Sequence, residues 1–273
     1  MDAIYIVIIF ILLLAIISII YSHFKIDISF YDVKNKKIDK NIKIVFLSDL
    51  HNRNFIDKLV NKVNSINPDI IIFGGDMVNE KMKDTIHFVE LIGKLKDKTI
   101  YYTYGNHEEN LEPEDRKDYD KIILSSKLIT LNNAHKSLSH NVMLYGLDSE
   151  NDTYMDFGKL GLSKKYITNK LGVIDQSKFN ILIAHNPLEF DSYVESKYDL
   201  VLSGHIHGGV IRLPFKKGLL SPDVTFFPKY FHKSYIKDKT QMIVSRGLGY
   251  SKRIPFRINN PAEIVVVNIM KEK

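Results

Sequence analysis

Five short stretches of this chain carry side chains that ligate metals or move protons, and each follows an apolar run. Ser48-Asp49-Leu50-His51 follows IKIVFL, and Gly74-Gly75-Asp76-Met77-Val78-Asn79 follows DIIIF. Gly105-Asn106-His107-Glu108 follows a run that ends at Tyr104. His185-Asn186-Pro187 follows FNILIA, and Gly204-His205-Ile206-His207-Gly208-Gly209 follows LVLS. The donors are carboxylates, a carboxamide and imidazoles. Cysteine is absent, which excludes a thiolate site, a disulfide framework and a cysteine nucleophile. An oxygen and nitrogen donor set of this kind suits Mn²⁺, Fe, Zn²⁺ or Co²⁺ in an octahedral or five-coordinate site. Asp49-x-His51 and His205-x-His207 place alternate residues on one face of an extended segment, so both members of each pair can reach one cluster. Five of the 10 histidines fall in these stretches; His23, His87, His135, His140 and His232 do not and receive no role. Taken singly, an aspartate at a strand end caps a turn or a helix, and Gly105-Asn106 is an ordinary turn dipeptide. Five such ends in order form a constellation.

The elements that must position these residues are strands and helices in alternation. Strands are predicted over Ile42–Leu47, Asp69–Phe73, Lys98–Tyr104, Val142–Gly146, Phe179–Ala184, Leu200–Ser203, Gln241–Ser245 and Glu263–Ile269. Apolar residues at helical spacing predict helices over Ile56–Ile66, Asp84–Leu95, Asp115–Ser125 and Leu188–Ser196. Buried strands between helices early, then mostly strands, argue for a layered α/β protein. Two packed sheets covered by helices accommodate the strand-rich second half. In an open α/β sheet the carboxyl ends of the strands line one crevice, where these donors converge.

The remaining signal is at the start. Ala3–Tyr21 is an uncharged run without proline or glycine; at about 1.5 Å per residue it reaches roughly 28 Å, close to the ~30 Å hydrocarbon core of a bilayer. A cleaved signal peptide fits less well, because no basic residue precedes the run and no small-x-small site follows it. The expected organisation is a transmembrane anchor over 1–24, a polar tether or first strand over 25–41 and one large domain over 42–273. Lys25, Lys34, Lys36, Lys37 and Lys40 follow the span, so positive-inside reasoning places the domain in the cytoplasm of a single-pass membrane protein. The 45% hydrophobic and 26% charged residues exclude a disordered chain, and the formal charge of +6 leaves attraction to anionic lipid or to nucleic acid open.

The ordered set DLH, GGDMVN, GNHE, AHNP and GHIHGG resembles the signature of the calcineurin-like metallophosphoesterases. Ser245-Arg246-Gly247-Leu248-Gly249, Arg257 and Asn260-Pro261-Ala262-Glu263, together with the apolar N-terminus, are similar to the bacterial membrane-associated YkuE/YaeI-like branch. Val210, where relatives commonly carry glutamine, and Pro228–Tyr235 depart from the pattern. The resemblance implies two mixed β-sheets packed as a sandwich and flanked by helices. It also implies two divalent metal ions, the first on Asp49, His51 and His207 and the second on Asn106, His185 and His205, with Asp76 bridging. A hydroxide bridging the two ions would attack a phosphomonoester or phosphodiester, and His107, no ligand itself, would act on the leaving oxygen. Glu108 is read as support for the ligands or for the fold. The anchor favours a lipid-linked or envelope phosphoester as substrate. The aromatic and basic segment Phe226–Tyr235 rests on the membrane, covers the cleft or packs as a loop. Two other functions fit the residues: a non-catalytic membrane scaffold with the same fold, and a nuclease of the same superfamily, although the anchor and the scattered lysines disfavour nucleic acid.

Overall fold

The computed structural model describes residues 2–148, 162–213, 217–251 and 253–272; the first residue of the expected anchor and the last of the expected domain lie outside them. The first sheet has the order β1 (Ile26–Asn35), β14 (Ala262–Lys271), β2 (Ile42–Leu47), β3 (Ile70–Gly74), β4 (Ile100–Thr103) and β5 (Ile129–Thr130). The second has the order β12 (Lys233–Lys237), β13 (Thr240–Val244), β9 (Leu200–Ser203), β8 (Phe179–Ala184), β7 (Val142–Leu147) and β6 (Ala134–Ser137). Both are mixed. β2 through β5 run parallel while β14 lies antiparallel to β2, and β13, β9, β8 and β7 run parallel between antiparallel edges. A short ribbon, β10 (Ile211–Arg212) with β11 (Gly218–Leu220), stands apart from both.

Alternation along each strand sets the layers. Ile44 and Phe46 of β2, Ile72 of β3, Ile181 and Ile183 of β8 and Leu200 and Leu202 of β9 meet in one cluster between the sheets. Their neighbours point outward. Val45, Leu47, Ile71 and Phe73 pack against α2 (Ile56–Ile66), α3 (Ile86–Lys94) and α5 (Pro113–Ser125). Leu182, Ala184 and Val201 pack against α6 (Lys164–Leu171) and α7 (Phe190–Glu195). Central strands buried on both faces must be apolar at nearly every position, which is why they read as continuous runs. Each such side chain contributes about 1.5–3 kcal/mol by leaving water, and both sheets supply them to the shared layer.

Residues 26–35 form β1, which pairs with β14 in register from Ile26–Ala262 to Asn35–Lys271. The segment after the apolar helix is therefore woven into the first sheet. α1 (Asp2–Phe24) is long and apolar enough to cross a membrane, and none of its apolar window is buried. Only its end touches the domain. The N–H of Asn259 donates to Ser18 Oγ at 2.7 Å and that of Asn260 to Ser22 Oγ at 3.1 Å. Arg53 donates to the His23 carbonyl and, at 2.6 Å, to that of Leu248.

Candidate metal centre

The donors lie at strand exits where the chain turns sharply. Asp49, His51, Asp76, His205 and His207 all take positive φ, between 46° and 71°. This left-handed region costs a residue with a Cβ about 1–2 kcal/mol, least for short polar side chains able to bond locally. The strain is held by bonds between neighbouring exits. The N–H of Asp49 donates to the Gly75 carbonyl at 3.0 Å and that of His51 to the Asp76 carbonyl at 3.2 Å. From the second sheet, the N–H of His205 donates to Asp49 Oδ1 at 2.9 Å. Gly247, itself at φ 68°, lies so near that a Cβ there would stand 2.6 Å from the Cβ of Asp49. The approach requires glycine.

These turns bring six of the seven predicted ligands and His107 to one place from both sheets. His185 Nε2 is 3.0 Å from Asp76 Oδ2 and 3.8 Å from Asp49 Oδ1. His207 Nε2 is 3.5 Å from Asp49 Oδ1 and 3.1 Å from His51 Nε2. Ligand atoms fall into three overlapping groups, each within 4.8 Å: Asp49, His51 and His207; His51, Asp76 and His107; Asp76, His185 and His205. Asp76 and His51 each belong to two of them, and Asp76 is the carboxylate. Asn106 opens α4 (Asn106–Glu109), where the next N–H, of His107, donates to Asp76 Oδ1 at 2.9 Å. Asn106 Oδ1 is buried without a hydrogen-bond partner, which suits an oxygen intended for a cation. By distance His107 also reaches the cluster, with Nε2 3.9 Å from Asp76 Oδ2.

The imidazoles are oriented from behind. His185 Nδ1 donates to the Gly74 carbonyl at 2.7 Å and His51 Nδ1 to Asn79 Oδ1 at 3.1 Å. Both acceptors are oxygens, so each Nδ1 carries a proton and each Nε2 faces the cluster, the orientation metal-ligating histidines take; His51 offers a lone pair there, and His185 does once the proton it shares with Asp76 leaves. His207 is held differently. Arg257 NH2, which can only donate, lies 3.1 Å from His207 Nδ1, so in the metal-free protein the His207 proton sits on Nε2 and faces His51.

Electrostatics separates the donors. Burial disfavours a charged His185, but Asp76 and Asp49 outweigh it and raise its pKa to about 10. Burial alone would raise Asp76, yet His185 and His107 carry its pKa well below the usual carboxylate range. Asp49 moves up, because burial exceeds the help of His185. Burial, reinforced by neighbouring cations, lowers His51 to about 3 and His205 to about 4, and His207 lower than usual. One proton on His185 thus balances two clustered carboxylates, a role divalent cations would take over with greater charge. Carboxylate and imidazole donors converging on one place, with the neighbouring Asn106 Oδ1 buried and unpaired among the described residues, fit metal ions, which would displace the protons now on His185 and His207.

Several supporting residues carry no local signature in the sequence. Glu108, expected to support the ligands or the fold, is fully buried; Oε2 accepts the N–H groups of Gly105 at 2.8 Å and Asp76 at 2.9 Å, and Oε1 that of Met77 at 2.7 Å. It ties the exits of β3 and β4 together. Asn260 Nδ2 donates to the His207 carbonyl at 2.6 Å. Arg257, besides His207, donates to the carbonyls of Arg246 at 2.7 Å and Gly249 at 2.8 Å.

The family model of the calcineurin-like phosphoesterases matches residues 42–209, the stretch from β2 through the His205–His207 pair. A Helicobacter pylori protein named as an uncharacterized metallophosphoesterase is 33% identical over 246 residues, 86% of this chain and 61% of its own length. A Danio rerio transmembrane protein with a metallophosphoesterase domain is 26% identical over 82% of this chain and 52% of its own length. The chain therefore spans about three fifths of the first relative and half of the second. The crystal structure of a dimetal phosphatase from Danio rerio shares the fold, with a TM-score of 0.50 over 83% of this chain and 98% of that one at 9% identity. With the strand-end cluster inside the matched residues, the chain belongs to the calcineurin-like phosphoesterase family.

Proposed function

We propose that this chain is a membrane-anchored phosphoesterase whose cluster holds two divalent metal ions, of Mn²⁺, Fe, Zn²⁺ or Co²⁺ type. The observation that carries this reading is the overlap of three ligand groups on shared residues, with Asp76 common to two. Asp49, His51 and His207 would hold the first ion, Asn106, His185 and His205 the second, and Asp76 would serve both. When bound, such a pair supplies a water of lowered pKa and positive charge against the phosphoryl oxygens. The chain does the rest. His185 and His51 keep their Nε2 atoms turned inward through the Gly74 carbonyl and Asn79. Glu108 holds the backbone of Gly105, Asp76 and Met77, and so the carboxylate of Asp76, in one position. His107 is partly exposed at 16% and its ring centroid is 4.7 Å from that of His51; from there it donates a proton to the departing oxygen of the ester.

The anchor is α1, a reading supported by its length and unburied apolar surface and by its similarity to the Danio rerio transmembrane protein. It favours a lipid-linked or envelope phosphoester as substrate, and the lysines after the span favour a cytoplasmic domain. The test uses full-length protein in detergent, stripped with chelator and reloaded with each metal in turn. Two ions per chain and metal-dependent hydrolysis of bis(p-nitrophenyl) phosphate are expected; protein that binds no metal and hydrolyses nothing overturns the reading. His107→Ala should keep its metals and lose about 10²–10⁴-fold in turnover. Unchanged turnover removes its catalytic role.

A further inference from the structure

A second cleft lies where α1 meets the domain. It encloses about 410 Å³ between Tyr21 of α1, Asp27 and Ser29 of β1, Arg212 of β10, His232 and Arg246, and none of the metal-cluster residues lines it. Its floor holds two guanidinium groups, with Arg212 only 6% exposed and Arg246 5%. Buried arginines are uncommon and need compensating charge. Arg246 has it: NH2 is 3.1 Å from Asp27 Oδ2 and Nε is 3.2 Å from Glu263 Oε1. Burial and the neighbouring Arg246 lower the pKa of Arg212 to about 10, against the pull of the same Glu263 and Asp27. Lys25 adds a further cation 3.3 Å from Asp27. Lys25 itself stays outside the recess, its side chain 46% exposed; among the described residues that line the cleft, Arg212 and Arg246 are cations against the one carboxylate of Asp27, and Glu263 lies buried behind Arg246. The excess positive charge favours an anion, and the planar fork of arginine matches phosphate oxygens.

The position of the cleft selects the source of that phosphate. Tyr21 lies about 28 Å along α1 from Ala3, the reach of one hydrocarbon core, and therefore at headgroup depth on the domain side. Tyrosine is enriched at that depth. Ser18 and Ser22 pin the same end of α1 to Asn259 and Asn260, and Asn259 also lines the cleft. Beside the ribbon that carries Arg212, Phe226 and Phe227 are 64% and 62% exposed, and the N–H of Phe227 donates to Leu219 of β11 at 3.0 Å. Apolar side chains thus border the basic recess.

We propose that this cleft binds the phosphate headgroup of a membrane phospholipid, with Arg212 and Arg246 holding the phosphate oxygens. The assignment rests on α1 lying in the membrane and is independent of the metal chemistry. Full-length protein in detergent is incubated with phosphatidylglycerol, with diacylglycerol and with inorganic phosphate, and retained ligand is counted by native mass spectrometry. Phosphatidylglycerol should be retained one per chain and diacylglycerol should not. Arg212→Gln should weaken retention at least about tenfold, the loss of a charge-assisted hydrogen bond, while melting cooperatively and still hydrolysing a soluble phosphodiester. Should that variant fail to fold, Asp27→Asn provides the second test, because removing an opposing carboxylate should strengthen retention. Equal retention of diacylglycerol overturns the proposal, as do undiminished binding by Arg212→Gln, weaker binding by Asp27→Asn, and inorganic phosphate competing as well as the lipid. Partitioning into the detergent phase on warming a Triton X-114 solution checks the anchor separately; a protein that stays in the aqueous phase overturns the anchor and the headgroup site with it, whatever its metal content.

Discussion

The first sheet brings oxygen to the metal cluster and the second brings nitrogen. Asp49, Asp76 and Asn106 leave β2, β3 and β4, accompanied by His51 and His107, whereas β8 and β9 deliver only imidazoles, from His185, His205 and His207. The support differs in the same way. The exits of the first sheet are laced to one another by backbone bonds and by the buried carboxylate of Glu108. Those of the second lean on the first: His205 donates to Asp49, and His185 to the Gly74 carbonyl. Negative charge is therefore stored on a self-braced side, and imidazoles close over it when the sheets stack, His185 with a balancing proton. Neither side makes a complete coordination shell.

Removing a donor from each side breaks this comparison most sharply. Asp76→Ala should strip both ions and lower kcat/KM by about 10³-fold or more, roughly 4 kcal/mol of transition-state stabilisation. His205→Ala, on the other side, should cost one ion and leave one. Metal counts by mass spectrometry decide it, and an Asp76→Ala protein carrying two ions would refute the bridging position. Glu108→Gln probes the brace. One carboxylate oxygen becomes an NH₂ facing backbone donors, so metal affinity should fall about 10–100-fold and the protein should lose about 1–3 kcal/mol. An unchanged affinity would show that the first sheet does not need this carboxylate.

The metal-free protein sharpens the contrast through pH. His51 and His205 are held near 3 and 4 against an ordinary 6.5, so the stability they confer is complete above 6.5 and is lost as pH falls. His185 is raised to about 10, so its contribution is complete below 6.5 and is lost as pH climbs through about 10. Thermal midpoints of chelated protein should therefore peak near pH 6.5, and a midpoint still rising between pH 7 and 10 would contradict the ion pair of His185 with Asp76. The smallest effect is expected at the anchor. Deleting residues 1–24 removes the His23 carbonyl from Arg53 and Ser22 Oγ from Asn260, but water can replace both. The truncated protein should keep its metals and lose no more than about threefold in activity, since each lost bond is worth only ~0.5–1.5 kcal/mol. Metal loss on truncation would make α1 part of the site.

The strands that carry the donors were legible because they are buried on both faces. IKIVFL, FNILIA and LVLS are strands over the predicted residues, and the helix over Ile56–Ile66 has its predicted bounds. Where local chemistry competes, the ends move. Met82–Thr85 winds as a 3₁₀ turn, so α3 begins at Ile86 and not at Asp84. Pro187 starts another, so α7 begins at Phe190 and not at Leu188. The edge strands β5, β6 and β12 escaped, because an edge needs only one apolar face and theirs are short, polar or partly exposed. α6 escaped as well, although Ser163 caps it by accepting the N–H of Tyr166 at 3.1 Å; that serine was the available signal. Nothing local to Arg257 or Asn260 indicates that both hold His207.

Local sequence alone settles which residue types stand at the strand exits, because β-branched runs, glycine turns and polar ends act over a few neighbouring positions. It also restricts the donors to oxygen and nitrogen, since no cysteine is present. That seven residues from two sheets share groups within 4.8 Å of one another, that Glu108 turns inward to brace Asp76, and that the end of α1 closes a basic cleft are decided by the tertiary structure. Those contacts join residues up to 241 positions apart, and they form only when the burial of both sheets against one shared layer outweighs the entropy of ordering the chain between them.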